Sequence, residues 1–484
     1  MSAVLADADF GTIAGGFVDG ERYQTHGPLL RVEDPATTGK LAEVFEATED
    51  DVALAVESAH AAFGSAWRDG RPVDRARVLA RIAAAISAAK PQLARLESLD
   101  TGKPLRQAQA DVDTAARYFE FYAGAADKLY GSMIPGDGDY WAYTLREPYG
   151  VVAHVTPWNS PLGQMCRGVA PSLAAGNTVV VKPSEITPLS TLAVADIFVA
   201  AGLPPGVCNV VVGCGPTTGA ALIRHPKVAH VAFTGSVPTG REVLRMTAER
   251  IVGANLELGG KSPTIVLPDA DMDAAVKAGA AAVIRNAGQS CFATTRLIVH
   301  RSIVAEYTQR LATEVSALSQ GPGLTDPDIG PVASRRQLDK VTSAITSAVA
   351  EGAELLTGGT RPTDLPGYFL TPAIIVGVDN AMQVARQEIF GPVQTVLTYD
   401  NIEDAIDIAN DSSYGLAAGV FTRDISMAHR VARRLQAGQI QVNAYPLGGV
   451  ETPFGGYKES GIGREKGLAA LEHYTQLKTV IIKN

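Results

Sequence analysis

Residues 177–184 read NTVVVKPS, a short run of β-branched apolar residues that ends directly in a lysine. A strand that is apolar on both faces is typical of a parallel sheet with helices on either side. The segment VVAHVTP, which starts at Val151 and precedes a predicted helix from about Pro161, has the same character. Further strands are predicted at 208–213 and 230–234, and further helices at 188–201, 216–224 and 239–250. This alternation predicts a doubly wound α/β sheet.

A second alternating series follows, from residue 264 to residue 446. We therefore expect two α/β domains joined near residue 260. The first 130 or so residues are predicted to be helical after a short hairpin around FVDGERYQT (17–25), with helices at 48–64 and 72–99.

Two apolar, β-prone segments lie outside both series, at 131–147 and 475–484. Strands that stand off a domain commonly pair with another subunit. We expect them to form a small β arm for self-association.

Composition excludes several classes of partner. The 484 residues carry a formal net charge of −9, which argues against nucleic acid or an anionic membrane as the main partner. No stretch approaches the ~20 apolar residues of a membrane span, and the N-terminus lacks the basic start of a signal peptide. The chain has four cysteines, which are Cys166, Cys208, Cys214 and Cys291. They show no metal-ligand spacing, so we expect no metal site and no disulfide framework. Their small number in a chain of this size favours a cytoplasmic location.

Three strand ends carry residues suited to a dinucleotide, which open parallel sheets bind at this edge. In KPSE, Lys182 and Glu185 could hold a ribose or could simply form a charge pair. GCGPTTG (213–219) has Gly-x-Gly but not the full fingerprint, so a tight turn is the alternative. In FTGSVPTG (233–240), Ser236 at a helix start could hold a pyrophosphate or form a structural turn.

Three further residues could carry chemistry. Cys291 lies in RNAGQSCFATTR (285–296) among small and polar neighbours, although a single cysteine is more often a buried apolar residue. Glu257 is flanked by leucines in LELGGKSP, and burial there would raise its pKa toward the range of a general base. Asn159 in TPWNSPL follows a strand end, where its amide could bind an oxyanion or form an Asx turn.

Seven segments occur in one order along the chain: TPWNSPL, KPSE, FTGS, LELGGKSP, GQSC, EIFGPV and PFGGYKESGIGRE. Cys291 lies 34 positions after Glu257, and Glu388 lies 97 positions after Cys291. From about residue 17 to the C-terminus, this series closely resembles the aldehyde dehydrogenase superfamily. The resemblance implies a Rossmann-like NAD-binding domain of residues 1–130 and 148–258, with 460–474 packing back on it, and a catalytic domain of residues 259–459.

The resemblance also implies roles for single residues. Cys291 corresponds to the nucleophile, Glu257 to the general base, and Asn159 with the Cys291 N–H to the oxyanion hole. Lys261 and Glu465 fall where the family often keeps a polar relay around the base. The implied cofactor contacts are Thr156, Pro157, Trp158, Lys182, Ser184, Glu185, Gly215, Gly219, Phe233, Gly235, Ser236, Leu258, Gly259, Glu388 and Phe390. The implied substrate tunnel draws on Ser160, Gly163, Gln164, Arg167, Ser290 and Phe292, and a wide, polar tunnel suggests a bulky or polar aldehyde.

Arg167 could pair with a substrate carboxylate, but we expect a solvated arginine at the tunnel mouth. NAD is favoured over NADP because the Glu185 carboxylate would repel a 2′-phosphate. We interpret His154 as a hydrogen-bonded core residue, and Cys166, Cys208 and Cys214 as structural.

The implied reaction oxidises an aldehyde to its carboxylic acid through a cysteine thioester and is carried out by a homodimer or homotetramer. A CoA-acylating semialdehyde dehydrogenase is disfavoured because such relatives typically lack the carboxylate at Glu257. A cysteine hydrolase would need a histidine partner that the sequence does not supply, and a non-catalytic binding protein would not need Cys291, Glu257 and Asn159 together.

Overall fold

The structure is a computed structural model that describes residues 10–136 and 138–483. Its largest sheet has eight strands. In side-by-side order they are β20 (Gly461–Ile462), β12 (Gly253–Glu257), β11 (Val228–Thr234), β8 (Val151–Val155), β9 (Thr178–Lys182), β10 (Cys208–Val210), β2 (Phe17–Val18) and β3 (Glu21–Arg22). The five strands from β12 to β10 are parallel, and the flanking strands are antiparallel.

Helices cover both faces of this sheet, as the apolar strand β9 predicts. Because successive side chains point to opposite faces, Val179 and Val181 join one core while Val180 joins the other. The first core includes α2 (Pro72–Ala88), α3 (Lys90–Thr101), α4 (Leu105–Ala123), α5 (Pro161–Ala175) and α6 (Leu189–Ala200). The second includes α1 (Glu49–Ala62), α7 (Ala220–Arg224) and α8 (Val237–Ala248).

The second alternating series forms a seven-stranded sheet, parallel except at β15. Its order is β15 (Glu354–Thr357), β16 (Ala373–Val376), β17 (Val393–Tyr399), β14 (Arg296–His300), β13 (Pro263–Val266), β18 (Ala417–Phe421) and β19 (Gln439–Val442). Its helices are α9 (Met272–Ile284), α10 (Val304–Ser316), α11 (Arg335–Ala350), α12 (Gln383–Arg386), α13 (Ile402–Asn410) and α14 (Ile425–Arg434). The chain passes from the first sheet to the second between Glu257 and Pro263.

The N-terminal region differs from its prediction. The prediction missed a small sheet that combines β1 (Thr12–Ile13), which precedes the 17–25 hairpin, with β5 (Lys40–Phe45) and β4 (Leu29–Glu33), which lie between the hairpin and the first helix. The helix expected at 72–99 is two helices, because Pro91 lacks the N–H needed to continue α2 into α3. The helix predicted at 48–64 is confirmed, and Thr48 and Asp51 form a reciprocal capping box at its start.

The two β-prone segments form a separate three-stranded sheet. Strand β7 (Tyr140–Pro148) pairs antiparallel with both β6 (Met133–Ile134) and β21 (Thr475–Lys483), while α15 (Ala469–His473) precedes β21. The tail therefore finds its strand partner within the same chain. Trp141 and Ile481 remain 59% and 67% exposed on this sheet. Among the residues that the structure describes, no helix is both long and apolar enough to cross a membrane.

Candidate active site

The predicted cofactor residues gather where the parallel strands of the larger sheet end. Thr156 follows β8 and donates its backbone N–H to the carbonyl of Lys182 at the end of β9, at 3.0 Å. Gly235 follows β11 and donates in the same way to Glu257, at 3.0 Å. The register of the sheet thus brings together residues separated along the chain.

Lys182 and Glu185 form a charge pair, which is one of the two arrangements that the sequence allowed. Their nitrogen and oxygen are 3.6 Å apart, and the lysine also donates to the Pro183 carbonyl at 2.8 Å. Lys182 is buried and Glu185 half-exposed, so the carboxylate faces outward beside a fixed ammonium group. Burial lowers the pKa of Lys182, and the Glu185 carboxylate opposes that shift. This arrangement leaves Glu185 available to a ribose.

The two glycine-containing turns differ in their construction. A Cβ at Gly235 would lie 2.5 Å from the Phe233 ring, so the ring closes over the backbone only because residue 235 is glycine. Ser236 then caps α8, its hydroxyl accepting from the Thr239 N–H at 3.4 Å. Residues 215–219 form a single helical turn before α7, and a Cβ at Gly215 would meet nothing within 4 Å.

Glu46 anchors the 213–219 segment, and sequence reasoning missed it. Its carboxylate accepts hydrogen bonds from the Cys214 N–H at 2.9 Å, from the Thr218 hydroxyl at 3.1 Å, and from Thr217. Burial raises the pKa of Glu46, but these three hydrogen bonds outweigh burial and hold it below its ordinary value. No local pattern marks this residue, because its partners lie more than 160 positions away.

The groove at these strand ends suits a dinucleotide. The Thr156 hydroxyl is buried there without a hydrogen-bond partner among the described residues. An unpaired buried hydroxyl is costly unless a ligand satisfies it. Together with the outward carboxylate of Glu185 and the open approach to Gly215, it fits the polar edge of NAD.

A second part of the groove is formed by the 388–391 segment. The Glu388 carboxylate accepts from the Gly260 N–H at 3.0 Å, and burial raises its pKa to about 7. Phe390 has a left-handed backbone (φ 61°) and meets the Trp158 ring edge-on, with centroids 5.2 Å apart. Gln337, which sequence reasoning also missed, donates to the carbonyls of Ile389 and Phe390 at 3.1 and 2.7 Å and so holds this backbone in place.

An unusual loop carries the cysteine. After α9, Asn286, Ala287 and Gly288 all adopt the left-handed conformation, which non-glycine residues adopt rarely and at a cost. The Asn286 side chain donates to the Asn159 carbonyl at 2.7 Å, and the Asn159 side chain donates to the Gln289 carbonyl at 2.9 Å. These two bonds fix the Asn159 amide beside the Cys291 loop and leave its second N–H free for another acceptor.

Cys291 opens into a cavity of about 670 Å³ and is not packed in a core. Asn159 lines the same cavity, as do all six predicted tunnel residues: Ser160, Gly163, Gln164, Arg167, Ser290 and Phe292. Burial raises the pKa of the Cys291 thiol to about 12, and the positive charge of Arg167 opposes that shift. The thiol therefore needs a base to become a nucleophile.

Glu257 is a buried carboxylate without a hydrogen-bond partner among the described residues, at either oxygen. Burial raises its pKa well above the ordinary value, Glu465 adds to the shift, and Arg167 opposes it. This is the direction expected from its leucine neighbours. A Cβ at Gly455 would lie 2.9 Å from the Glu257 carboxylate, so that glycine makes room for the side chain.

The expectation of a solvated Arg167 is wrong. The side chain is buried, forms an ion pair with Glu465 and stacks over Phe454, with Cζ 5.4 Å from the ring centroid. It lies on α5, a helix buried almost all round, and the carboxylate partner makes burial of the guanidinium tolerable.

The polar relay expected around Glu257 includes Glu465 but not Lys261. Glu465 acts on the pKa of Glu257. Lys261 lies within electrostatic reach of Glu388, Arg296 and Lys340. His154 is buried beside Tyr474, but its Nε2 has no hydrogen-bond partner among the described residues, so it is not a hydrogen-bonded core histidine at that nitrogen.

Comparisons with known proteins show the family to which the chain belongs. A sequence model of the Aldehyde dehydrogenase family matches residues 23–480. The betaine aldehyde dehydrogenase of Cereibacter sphaeroides (strain ATCC 17029) is 45% identical over 473 residues, 97% of each chain. The NAD+ complex of an aldehyde dehydrogenase from Bacillus cereus superimposes with a TM-score of 0.95 at 40% identity, covering 97% of this chain and 96% of that one. Betaine aldehyde dehydrogenase from Staphylococcus aureus in complex with NAD+ gives 0.95 at 37% identity, covering 97% and 95%.

The fold and the site thus define a dinucleotide-dependent oxidoreductase that works through a cysteine. The chain belongs to the aldehyde dehydrogenase family. Its activity is the NAD-dependent oxidation of an aldehyde, and NAD is its cofactor.

Proposed function

We propose that Cys291 is the nucleophile of this oxidation, that Asn159 binds the oxyanion and that Glu257 is the general base. One observation carries the proposal. The Cys291 thiol and the Asn159 amide face one cavity, and the buried Glu257 carboxylate within electrostatic reach of that thiol has both oxygens free of hydrogen bonds from the described residues.

In the first step the Cys291 sulfur adds to the aldehyde carbon, and the carbonyl electron pair moves to oxygen. The second Nδ2–H of Asn159 and the Cys291 backbone N–H donate to that oxyanion. The thiol proton goes to Glu257, directly or through a water molecule, because burial makes both groups reluctant to carry charge.

A bound NAD would supply the hydride acceptor, so that the carbonyl could re-form on the aldehyde carbon as a thioester with Cys291. Glu388 and Phe390 would hold the nicotinamide end of the cofactor. Lys182, Glu185 and Ser236 would hold the adenosine and pyrophosphate. The other proposed contacts would lie between these two ends of the cofactor: Thr156, Pro157, Trp158, Ser184, Gly215, Gly219, Phe233, Gly235, Leu258 and Gly259.

Before the last step Glu257 passes the thiol proton to solvent. It then takes a proton from water, and the resulting hydroxide adds to the thioester carbon. The carbon–sulfur bond breaks, the carboxylic acid leaves, and the thiolate is restored. A buried carboxylate with a raised pKa is suited to this role, since it is a stronger base than an ordinary glutamate.

Trapping the thioester tests these roles. Glu257→Gln should release at most a single equivalent of NADH from butanal, more slowly than the wild type because the thiol proton must pass to solvent instead. Turnover should then stop, with the butanoyl group retained on Cys291 as a mass increase. Asp113→Asn is the matched control, because Asp113 also lines the cavity but is paired with Lys90, and this variant should turn over continuously. Undiminished steady turnover by Glu257→Gln would overturn the proposal, and faster release of butanoyl-CoA than of butanoate when CoA is added would favour the acylating alternative.

We further propose that the three-stranded sheet joins subunits into a homodimer or homotetramer. Its outer strand β21 has a free edge, and exposed apolar side chains such as Trp141 and Ile481 support burial against a second copy. Ile481→Lys should shift the mass measured by light scattering toward the monomer, and an unchanged mass would contradict this interface.

We also propose a division of the chain into two domains and a cytoplasmic location. Residues 1–130 and 148–258 would form the NAD-binding domain and 259–459 the catalytic domain, which the change of sheet between Glu257 and Pro263 supports. Strand β20 in the larger sheet supports packing of residues 460–474 on the first domain. The four free cysteines support a reducing, cytoplasmic location.

A further inference from the structure

The charges that line the catalytic cavity are unequally neutralised. Five cationic side chains contribute to its walls, and three of them are ion-paired: Lys103 with Glu97 and Asp111, Arg117 with Glu120, and Arg167 with Glu465. The other two are Arg285 and Lys466. Within residues 10–136 and 138–483, neither makes an ion pair or donates a side-chain hydrogen bond. Arg285 is exposed to solvent, whereas Lys466 is half-buried and is influenced by the charge of Glu451 without an ion pair to it.

Both cations lie over the aromatic rings that flank the nucleophile. Arg285 Cζ is 5.7 Å from the centroid of Phe292, the residue after Cys291, and Lys466 Nζ is 5.7 Å from the centroid of Phe454. The two rings meet edge-on, with centroids 5.9 Å apart. An aromatic face attracts a cation but does not replace a carboxylate. The charges therefore border one continuous aromatic wall next to the reacting sulfur.

The backbone holds Lys466 at this wall. The residue adopts a left-handed conformation (φ 63°), which a non-glycine residue keeps only when its surroundings impose it. On one side, Glu465 and Phe454 exchange two backbone hydrogen bonds of 2.7 Å, and on the other the Gly467 N–H donates to the Val450 carbonyl at 2.8 Å. This strained position, fixed on both sides, anchors the backbone from which the Lys466 side chain reaches the cavity wall.

The acidic groups of the cavity do not reverse its charge. Asp111 and Asp113 are already paired with Lys103 and Lys90. Glu451 is exposed and makes no ion pair within the described parts of the chain, so solvent screens it more than it screens the half-buried Lys466. The uncompensated charge nearest the aromatic wall is positive.

We propose that this cavity takes an aldehyde whose far end carries a carboxylate, and that Lys466 and Arg285 bind that carboxylate. The inference rests on the proposed function, since the aldehyde end must reach Cys291. The relatives named as betaine aldehyde dehydrogenases have a cationic substrate in their names, and this chain would repel such a group at the same wall.

Three aldehydes of similar size test the substrate class with the wild-type enzyme: succinic semialdehyde (anionic), butanal (neutral) and betaine aldehyde (cationic). We expect kcat/KM for succinic semialdehyde to exceed the other two by about tenfold or more, with the difference expressed in KM. Its KM should rise with added salt, while that of butanal should not.

Variants locate the carboxylate subsite. Lys466→Met and Arg285→Gln should each lower the ratio of kcat/KM for succinic semialdehyde to that for butanal by about tenfold, and Lys466→Arg should restore most of it. Arg117→Gln is the matched control, because Arg117 lines the same cavity with its charge already compensated by Glu120, and its ratio should stay at the wild-type value.

These experiments distinguish a failure of the proposed function from a failure of the carboxylate subsite. If no aldehyde yields NADH, the proposed function fails and takes this inference with it. If butanal or betaine aldehyde is oxidised as efficiently as succinic semialdehyde, or if the Lys466 and Arg285 variants keep the wild-type ratio, the carboxylate subsite is refuted while the proposed function stands.

Discussion

Gly259 lies against the carboxylate that we assign to the nicotinamide end of the cofactor, and this contact gives a quantitative prediction. A Cβ at residue 259 would come within 2.4 Å of one Glu388 oxygen and 2.8 Å of its Cδ. Ordinary contacts of this kind exceed 3 Å, so in Gly259→Ala the Glu388 carboxylate must move away. That movement stretches or breaks the 3.0 Å hydrogen bond that Glu388 accepts from the Gly260 N–H.

The size of the effect follows from the hydrogen bond that Glu388 would make with the ribose of NAD. A hydrogen bond to a charged group contributes about 1.5–3 kcal/mol, and each 1.4 kcal/mol corresponds to about tenfold in an equilibrium constant. If Glu388 positions the ribose of NAD, its displacement should weaken NAD binding by about tenfold to a hundredfold. Folding should suffer less, because the group that must shift is the end of a flexible side chain.

Titration of the enzyme with NAD, monitored by the quenching of tryptophan fluorescence, measures the change in NAD affinity directly. Gly64→Ala serves as the control, since a Cβ there would meet nothing within 4 Å. Glu388→Gln should weaken binding to a similar degree, and the double variant should add little to either single change. An NAD Kd for Gly259→Ala equal to that of the wild type would refute the reasoning.

The remaining predictions concern charge. Glu465→Gln leaves Arg167 buried without its carboxylate and should lower the free energy of unfolding by about 3–5 kcal/mol, which a lower midpoint of thermal unfolding would show. Glu472→Gln removes an exposed pair with Arg146 and should lower it by only about 0–1 kcal/mol. Equal midpoints for the two variants would contradict a buried ion pair. Glu185→Ser should raise the efficiency with NADP relative to NAD by about tenfold, and an unchanged ratio would remove the rationale for NAD preference. Because burial raises the pKa of Glu257, and a base acts only when deprotonated, kcat/KM for butanal should still rise with pH above the range in which an ordinary glutamate titrates. A profile that is flat or falling there would contradict that assignment.

The elements that local sequence predicted well are those fixed by a uniformly apolar environment or by partners close together in the chain. Strand β9 is one example, since its five residues are buried on both faces and no tertiary detail is needed to identify it. The capping box at Thr48 is another, because its partners are three residues apart. The small sheet of β1, β4 and β5 was missed because β1 has only two residues and β4 buries only one of its five, so neither shows a clear strand pattern.

Long-range polar partners account for most of what the sequence did not disclose. Gln337 supports the Phe390 backbone from 53 positions away, and no pattern around either residue announces the contact. Arg167 was expected in solvent because nothing near it in sequence supplies a carboxylate, and Glu465 reaches it only in the folded chain. Such side-chain pairs form only when folding brings distant parts of the chain together. The order and spacing of the reactive residues, by contrast, can be taken from the sequence itself.

The most direct measurement of the central claim is NADH formation from butanal by Cys291→Ala, together with the NAD affinity of the same variant. Loss of the nucleophile should reduce the rate by at least about a thousandfold, while NAD binding stays near the wild-type value because no proposed cofactor contact is removed. A rate close to that of the wild type would contradict the assignment of Cys291 and, with it, the thioester route.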